Sequence, residues 1–143
     1  MSIEQIKARL RKAAEEAGLP LGDRQKTYNS RLAQELGKWA EEKGRGEEFH
    51  NAVFRAYFVD GVNIAKIEEL TSLAQNAGLP GEEARRALGM RTHKTAVDTD
   101  WKRSHQLGIT AVPTFVLNQK GLVGAQPYEV LEQFLEENKI KRK

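Results

Sequence analysis

The feature that most restricts the fold is a single change of periodicity, at residues 108–127. Before it, apolar residues recur every three or four positions in short segments that end at Gly, or at Gly followed by Pro. That pattern is typical of amphipathic helices with ordinary stop signals. Within residues 108–127, residues 114–117 and 122–125 are β-type, and residues 118–121 suit a hairpin turn. The chain is therefore predicted to be mainly α-helical with a small β part.

Seven helices are predicted from the apolar spacing and the stop signals. The first begins at a capping box, in which Ser2 and Gln5 satisfy free N–H groups of the first turn. The third is rich in aromatic residues with apolar groups on more than one side, and we expect it to lie at the centre of a helical bundle. The predicted helices cover residues 3–17, the segment between Ser30 and Gly44, residues 47–59, 66–77, 82–88 and 92–107, and a final segment from Pro127.

Composition limits the class of protein. The 143 residues are 39% hydrophobic and 30% charged, as expected of a soluble domain with one ordinary core. No apolar run approaches the roughly 20 residues that span a bilayer. The N-terminal residues lack the apolar stretch of a secretory signal, and we therefore expect a cytoplasmic protein without membrane contacts.

The net charge of +3 depends on the C-terminal tail. Lys139, Lys141, Arg142 and Lys143 supply four positive charges, so the rest of the chain carries −1. A short basic tail is usually only solvated, and nucleic-acid binding is not expected from it.

The chain contains no cysteine, which excludes disulfides, thiolate nucleophiles and cysteine-ligated metals within these 143 residues. His50, His93 and His105 lie on three different predicted helices, and none has a second ligand one helical turn away. We therefore expect no metal and no cofactor.

Residues 70–88 have the general shape of a DNA-binding helix-turn-helix: a helix, a turn at Gly78 and a second helix. Glu82 and Glu83, however, would begin the recognition helix with negative charge facing the phosphates. A structural helical hairpin is the preferred interpretation, and DNA binding through residues 70–88 stays the weaker alternative.

Three stretches of the chain resemble a known family. Residues 108–117 read GITAVPTFVL, which resembles the cis-proline segment of thioredoxin-fold proteins. Residues 124–127, GAQP, and residues 53–58, VFRAYF followed by Asp60 and Gly61, narrow the resemblance. Together they are similar to the DsbA-like, FrnE-type thiol–disulfide oxidoreductases, in which a helical domain is inserted into a thioredoxin fold. The resemblance extends from about residue 3 to residue 135.

The resemblance implies an architecture and a site. Residues 1–90 would form the helical, DsbA-type insertion domain, and residues 91–143 the C-terminal portion of a thioredoxin-like domain: helix, hairpin after a cis-proline, helix. The bond between Val112 and Pro113 would be cis. Ala111, Val112, Pro113 and Thr114 would bind an extended peptide or a glutathione-like thiol ligand, with the backbone of Val112 pairing as an added strand does.

The sequence also departs from this family. In the family, a strand, a helix opening with Cys-x-x-Cys and a second strand precede the insertion, and nothing similar is found here. Exchange requires a thiolate, so the resemblance implies no catalytic residue in this chain, and we expect no redox activity from it alone. Whether it is an enzyme by itself is left open.

The isolated hairpin implies a partner, because two strands alone are marginally stable. We expect its edge to be paired by a second copy in a homodimer, by a separate N-terminal thioredoxin segment, or by a rearranged terminus. The preferred function is the C-terminal part of a DsbA/FrnE-like oxidoreductase. The alternative is a degenerate, non-catalytic interaction or chaperone module.

Overall fold

The computed structural model describes all 143 residues, as seven helices and one two-stranded antiparallel sheet. The predicted fold class, mainly α with a small β part, is confirmed. The elements are α1 Ile3–Glu16, α2 Arg31–Glu42, α3 Gly46–Phe58, α4 Ile67–Asn76, α5 Gly81–Gly89, α6 Lys94–Gln106, β1 Thr114–Leu117, β2 Lys120–Val123 and α7 Tyr128–Glu137.

The chain forms two compact units: a helical unit, Met1–Val97, and a hairpin unit, Asp98–Lys143. The domain boundary expected between residues 90 and 91 stays a prediction. None of the seven helices combines the length and the apolar character that crossing a membrane would require.

The core of the helical unit lies among α2, α3, α4 and α5. Leu36, Phe49 and Leu70 are its largest fully buried side chains. Burying one such side chain contributes about 1.5–3 kcal/mol to folding. By contrast, α1 contributes no buried residue, although it begins with the predicted capping box: the Ser2 hydroxyl accepts from Gln5 N–H at 3.2 Å, and Gln5 Oε1 accepts from Ser2 N–H at 2.8 Å.

A buried carboxylate joins α2 to the turn between α5 and α6. Glu35, only 3% exposed, accepts from Arg31 Nε at 2.8 Å and from Arg91 Nε at 2.7 Å. Arg91 stands in the left-handed region, with φ +52°. The hydrogen bond from Arg91 is the largest cause that holds the pKa of the Glu35 carboxyl below its usual value of 4.5. A buried charge is tolerated here because two cations satisfy its oxygens.

The expectation that the aromatic helix lies at the centre of the bundle is wrong for part of α3. Phe49 is buried, but Phe54 is 59% exposed and Phe58 is also exposed. Tyr57 is half-buried, and the Arg24 guanidinium lies 4.1 Å from the centre of its ring. One face of α3 packs into the core, whereas Phe54 and Phe58 line a surface groove. Apolar spacing alone does not distinguish these two situations.

The hairpin differs from its prediction in register. Leu117 pairs with Lys120 and Thr114 pairs with Val123, so the second strand begins two residues before residue 122 and the connection is not residues 118–121. Asn118 and Gln119 form the whole turn, with φ +50° and +65°. Two successive positive φ values are typical of the type I′ turn, whose twist matches that of the flanking strands.

The end of α7 fixes this turn. Asn118 Nδ2 donates to the Asn138 carbonyl at 3.2 Å, and Asn138 Nδ2 donates to the Phe134 carbonyl at 2.7 Å. Asn138 is buried, so these bonds satisfy polar groups that water does not reach. The turn is thereby attached to the helix that follows it.

Candidate functional site

The candidate site is the loop between α6 and β1. The loop begins where Gly108 ends α6: with φ +71° it adopts a conformation that costs glycine little, and its N–H donates to the His105 carbonyl at 3.0 Å. Ile109 N–H donates to the Ser104 carbonyl, also at 3.0 Å. These bonds satisfy carbonyl groups at the helix end and fix the direction in which the loop leaves.

The loop is fastened at both sides of Val112. Thr114 Oγ1 donates to the Ala111 carbonyl at 2.6 Å, and Gly124 N–H donates to the Pro113 carbonyl at 2.8 Å. The peptide bond between Val112 and Pro113 is cis. The four residues named by the resemblance therefore lie in one short loop, anchored to itself and to the segment that follows β2.

Val112 of this loop points into solvent. Its side chain is 91% exposed, and neither its N–H nor its C=O is hydrogen-bonded within the chain. An extended backbone segment of a ligand can pair with one free donor and one free acceptor. Val112 offers both, beside an apolar side chain. The arrangement can bind, because the anchored neighbours hold the groups in place.

The hairpin beside the loop leaves apolar side chains uncovered. Phe115, Val116 and Val123 are exposed. Phe115 and Val116 are consecutive in β1, so they point to opposite faces of the sheet. Neither face of the sheet is therefore fully covered.

The site carries no group that could perform exchange chemistry. The chain has no cysteine, and nowhere in it do three or more His, Asp or Glu side chains gather as a metal site requires. Thiol–disulfide exchange proceeds through a thiolate. The loop can hold a ligand, whereas the attacking sulfur would have to belong to another molecule or segment.

The two helices of the helix-turn-helix alternative, α4 and α5, lie next to each other. Some of their charged side chains, however, are already paired with opposite charges within the chain. Glu83, in the first turn of α5, lies 2.9 Å from Lys43 Nζ. Arg85 lies 3.8 Å from Glu68. Glu82 and Glu83 at the start of α5 disfavour an approach of phosphates, and DNA binding stays a prediction.

The sequence did not predict one feature, a groove between α1 and the C-terminal half of α3, in the helical unit. Arg55, which the helical periodicity of α3 does not place, lies at this groove together with Arg24. The apolar stripe of α1 and the aromatic residues of α3 are the sequence patterns that could have indicated the groove. Both patterns, however, are also typical of helices buried in a core.

Comparison with known proteins supports the family. A family model described as a DSBA-like thioredoxin domain matches residues 1–136. The chain is 34% identical over 112 residues to YwbO of Bacillus subtilis, whose description is "uncharacterized protein"; the match covers 78% of this chain and 56% of YwbO. The crystal structure of a probable DsbA oxidoreductase from Streptomyces coelicolor has a TM-score of 0.85 and 35% identity, over 100% of this chain and 64% of that one.

The chain thus spans between about half and two thirds of the length of these relatives. The family match extends over both units, from α1 through most of α7, and the structural likeness extends over the whole chain. The chain belongs to the DSBA-like thioredoxin domain family, a family of the general thiol–disulfide oxidoreductase kind.

Proposed function

We propose that this chain is the C-terminal part of a DsbA-like, FrnE-type protein thiol–disulfide oxidoreductase. Its own task is to bind an extended peptide or a glutathione-like thiol ligand at Ala111, Val112, Pro113 and Thr114. A thiolate outside these 143 residues performs the exchange. The setting is the cytoplasm. The observation that carries the proposal is the free backbone N–H and C=O of Val112, in a loop anchored on both sides.

The geometry of Val112 supports the proposal that this loop binds a ligand. An extended peptide that runs antiparallel to the loop offers one C=O and one N–H to the two free groups of this residue. The anchoring bonds at Ala111 and Pro113 hold these groups in one orientation before the ligand arrives, so little ordering is needed on binding. The exposed Val112 side chain adds an apolar contact.

In the exchange step, a thiolate attacks one sulfur of a disulfide, a new S–S bond forms, and the other sulfur leaves as a thiolate. The chain supplies neither sulfur. Its contribution is to hold the segment that carries one sulfur in an extended conformation. This division of roles predicts binding without turnover.

Binding is tested by titrating the isotope-labelled chain with a short extended peptide that contains serine in place of cysteine, and by following the backbone amide signals. Saturable changes centred on residues 111–114 are expected. Val112→Asp, at a fully accessible side chain, should weaken the binding at least tenfold, whereas Val116→Asp on β1 is the matched control. Saturation with all changes elsewhere in the chain would contradict the proposal.

Turnover is tested separately by an insulin reduction assay with the purified chain and dithiothreitol. We expect the rate of the reductant alone, because no thiolate is available. Robust acceleration by this chain would overturn the division of roles.

The second candidate is a degenerate, non-catalytic interaction or chaperone module. The observation in its favour is the combination of no cysteine with many exposed apolar side chains, Val112 and Phe54 among them. The two proposals differ in ligand. Suppression of aggregation of a cysteine-free client, unchanged by Val112→Asp, would support the module and count against the peptide site.

The hairpin edge is the proposed place of a partner. The sheet has two strands, so each strand has one unpaired edge. We propose that a second copy of the chain, or an N-terminal thioredoxin segment, pairs with it. Light scattering during gel filtration tests the first case: a dimer is expected, and a strict monomer at every concentration leaves only the second.

A further inference from the structure

The residues that form the groove of the helical unit are distant in sequence from the loop at Val112. The proposed function does not use this groove. Its walls are α1, residues 19–24 and the C-terminal half of α3, and it encloses about 520 Å³. Gly22 is one of the lining residues: its N–H donates to the Phe58 carbonyl at 2.8 Å, and a Cβ on this residue would stand 2.1 Å from the Val59 carbonyl oxygen. The close approach of the loop to α3 therefore requires glycine at this position.

The floor of the groove is apolar and open to solvent. Along α1, the apolar stripe contains no buried residue, and Leu10 and Phe54 from opposite walls are both exposed. Exposed apolar patches of this kind mark binding sites or interfaces. Most of the other lining residues, Leu19 and Phe58 among them, are apolar as well.

The polar lining of the groove is almost entirely cationic. Asp23 is its one acidic residue, and its carboxylate is already bound by Arg11 at 3.0 Å and by Gln25 at 3.2 Å. Three other cations, Lys7, Arg24 and Arg55, line the groove without a carboxylate partner. An uncompensated positive charge beside an apolar floor favours a ligand that is apolar over most of its length and negative at one end.

Arg24 is the cation best prepared for such a ligand. Its guanidinium lies 4.1 Å from the centre of the Tyr57 ring and 5.7 Å from that of Phe58, so the aromatic faces fix its plane. Its Nε is buried and has no hydrogen-bond partner. A fixed guanidinium with unused donors is suited to receive a carboxylate.

We propose that this groove binds an amphiphilic organic anion, namely an unbranched aliphatic carboxylate, with its chain on the apolar floor and its carboxylate at the unpaired cations. The volume lies within the range of small-molecule sites, which are mostly apolar with a few oriented polar groups. A symmetric pairing of two copies through this groove would place the same cations against each other, which disfavours a second copy as its occupant.

The test is calorimetric titration of the full chain with dodecanoate below its micelle concentration, with dodecyltrimethylammonium as the ligand of opposite charge. Dodecanoate should bind with one-to-one stoichiometry, and the cationic ligand at least tenfold more weakly. Decanoate, which is two methylenes shorter, should bind about tenfold more weakly than dodecanoate.

Variants assign the site. Arg24→Met, which removes the charge and keeps an apolar side chain on Tyr57, should weaken dodecanoate about tenfold. Arg9→Met is the matched control, because Arg9 is an exposed arginine of α1 that does not line the groove. Leu10→Glu changes an exposed apolar residue of the groove wall, so the fold is retained while binding is lost. Thermal unfolding of each variant verifies the fold.

Three results would overturn the proposal. The first is equal affinity for the anionic and the cationic ligand. The second is an affinity that Arg24→Met lowers no more than Arg9→Met does. The third is a chain that is dimeric at the titration concentration and that Leu10→Glu converts to a monomer, which would show that a second copy occupies the groove.

Discussion

The two units bury their side chains very differently. The helical unit has a closed core in which Phe49, Leu70 and their neighbours are inaccessible to solvent. In the hairpin unit, no apolar side chain is buried, and its one buried residue is Asn138. The helical unit therefore carries its own source of stability, whereas the hairpin unit is shaped mainly by hydrogen bonds and by a turn. The unit that holds the proposed peptide site is the one that would gain most from a partner.

The largest expected effect comes from truncating a buried side chain of the helical unit, compared with truncating an exposed one of the hairpin unit. Leu70→Ala removes a fully buried side chain of α4 and should lower the free energy of unfolding by about 3–5 kcal/mol. Phe115→Ala, the matched truncation in the hairpin unit, should cost about 1 kcal/mol or less because this side chain is exposed. Urea unfolding followed by circular dichroism measures both. Equal losses would contradict the contrast.

The next effect concerns the buried carboxylate. Glu35→Gln leaves Arg31 and Arg91 without their anion and should cost about 2 kcal/mol, less than a fully buried pair because Arg91 is partly exposed. In the hairpin unit, Glu132→Gln is the matched control, and the loss of its exposed pair with Arg142 should change the free energy of unfolding much less, because solvent screens an exposed pair.

The same residue predicts a pH dependence. The pKa of Glu35 in the folded chain lies below its usual value, with Arg91 as the main cause. The stabilisation is therefore present in full above about pH 4.5 and is lost as the pH falls through the lowered pKa. Urea unfolding between pH 3 and 7 should show a steeper acid loss for the unchanged chain than for Glu35→Gln. Parallel curves would show that this carboxylate is not the titrating group.

The third effect is confined to the hairpin. Asn118→Ala removes a residue that tolerates positive φ and the bond to the Asn138 carbonyl, and should destabilise the turn by about 1–2 kcal/mol. Gln119→Gly, at φ +65°, should leave the turn as stable or more stable. Amide hydrogen exchange of β1 and β2 measures the turn separately from the helical core. Faster exchange in both variants would contradict the assigned turn.

These contrasts also explain how far the sequence alone could predict the fold and the site. Apolar spacing and stop signals predicted the seven helices, because each of these is a local property of a short segment. The predicted hairpin register was wrong because Gly121 suggests a turn as strongly as Asn118 does, and the sequence alone does not show which residues adopt the positive φ values of the turn. Phe54 and Phe58 were misplaced because groove and core helices share one periodicity.

The site itself has no periodic signal. Val112 and its neighbours could be named only by resemblance to a family, since an irregular loop is defined by contacts distant in sequence, such as that between Gly124 and Pro113. The groove was missed for a related reason. Arg24 lies in a polar connection, and its position against Tyr57 depends on how two separate segments meet.

The smallest expected effect is at α1, which belongs to the helical unit but resembles the hairpin unit in having no buried apolar side chain. Ser2→Ala breaks the capping box and should weaken this helix locally by about 1 kcal/mol. Global unfolding of the core should change by no more than about 0.3 kcal/mol, because α1 supplies none of the core side chains. Hydrogen exchange of α1 should therefore accelerate while the urea midpoint stays fixed, and a shifted midpoint would place α1 within the cooperative core.

Since α1 forms a wall of the groove, dodecanoate should restore part of the lost protection, as a ligand bound to the ordered form must. Such a response would show that α1, at the groove, depends on a bound ligand for part of its stability although it belongs to the helical unit. The division between self-sufficient and partner-dependent structure would then lie inside the helical unit as well as between the two units.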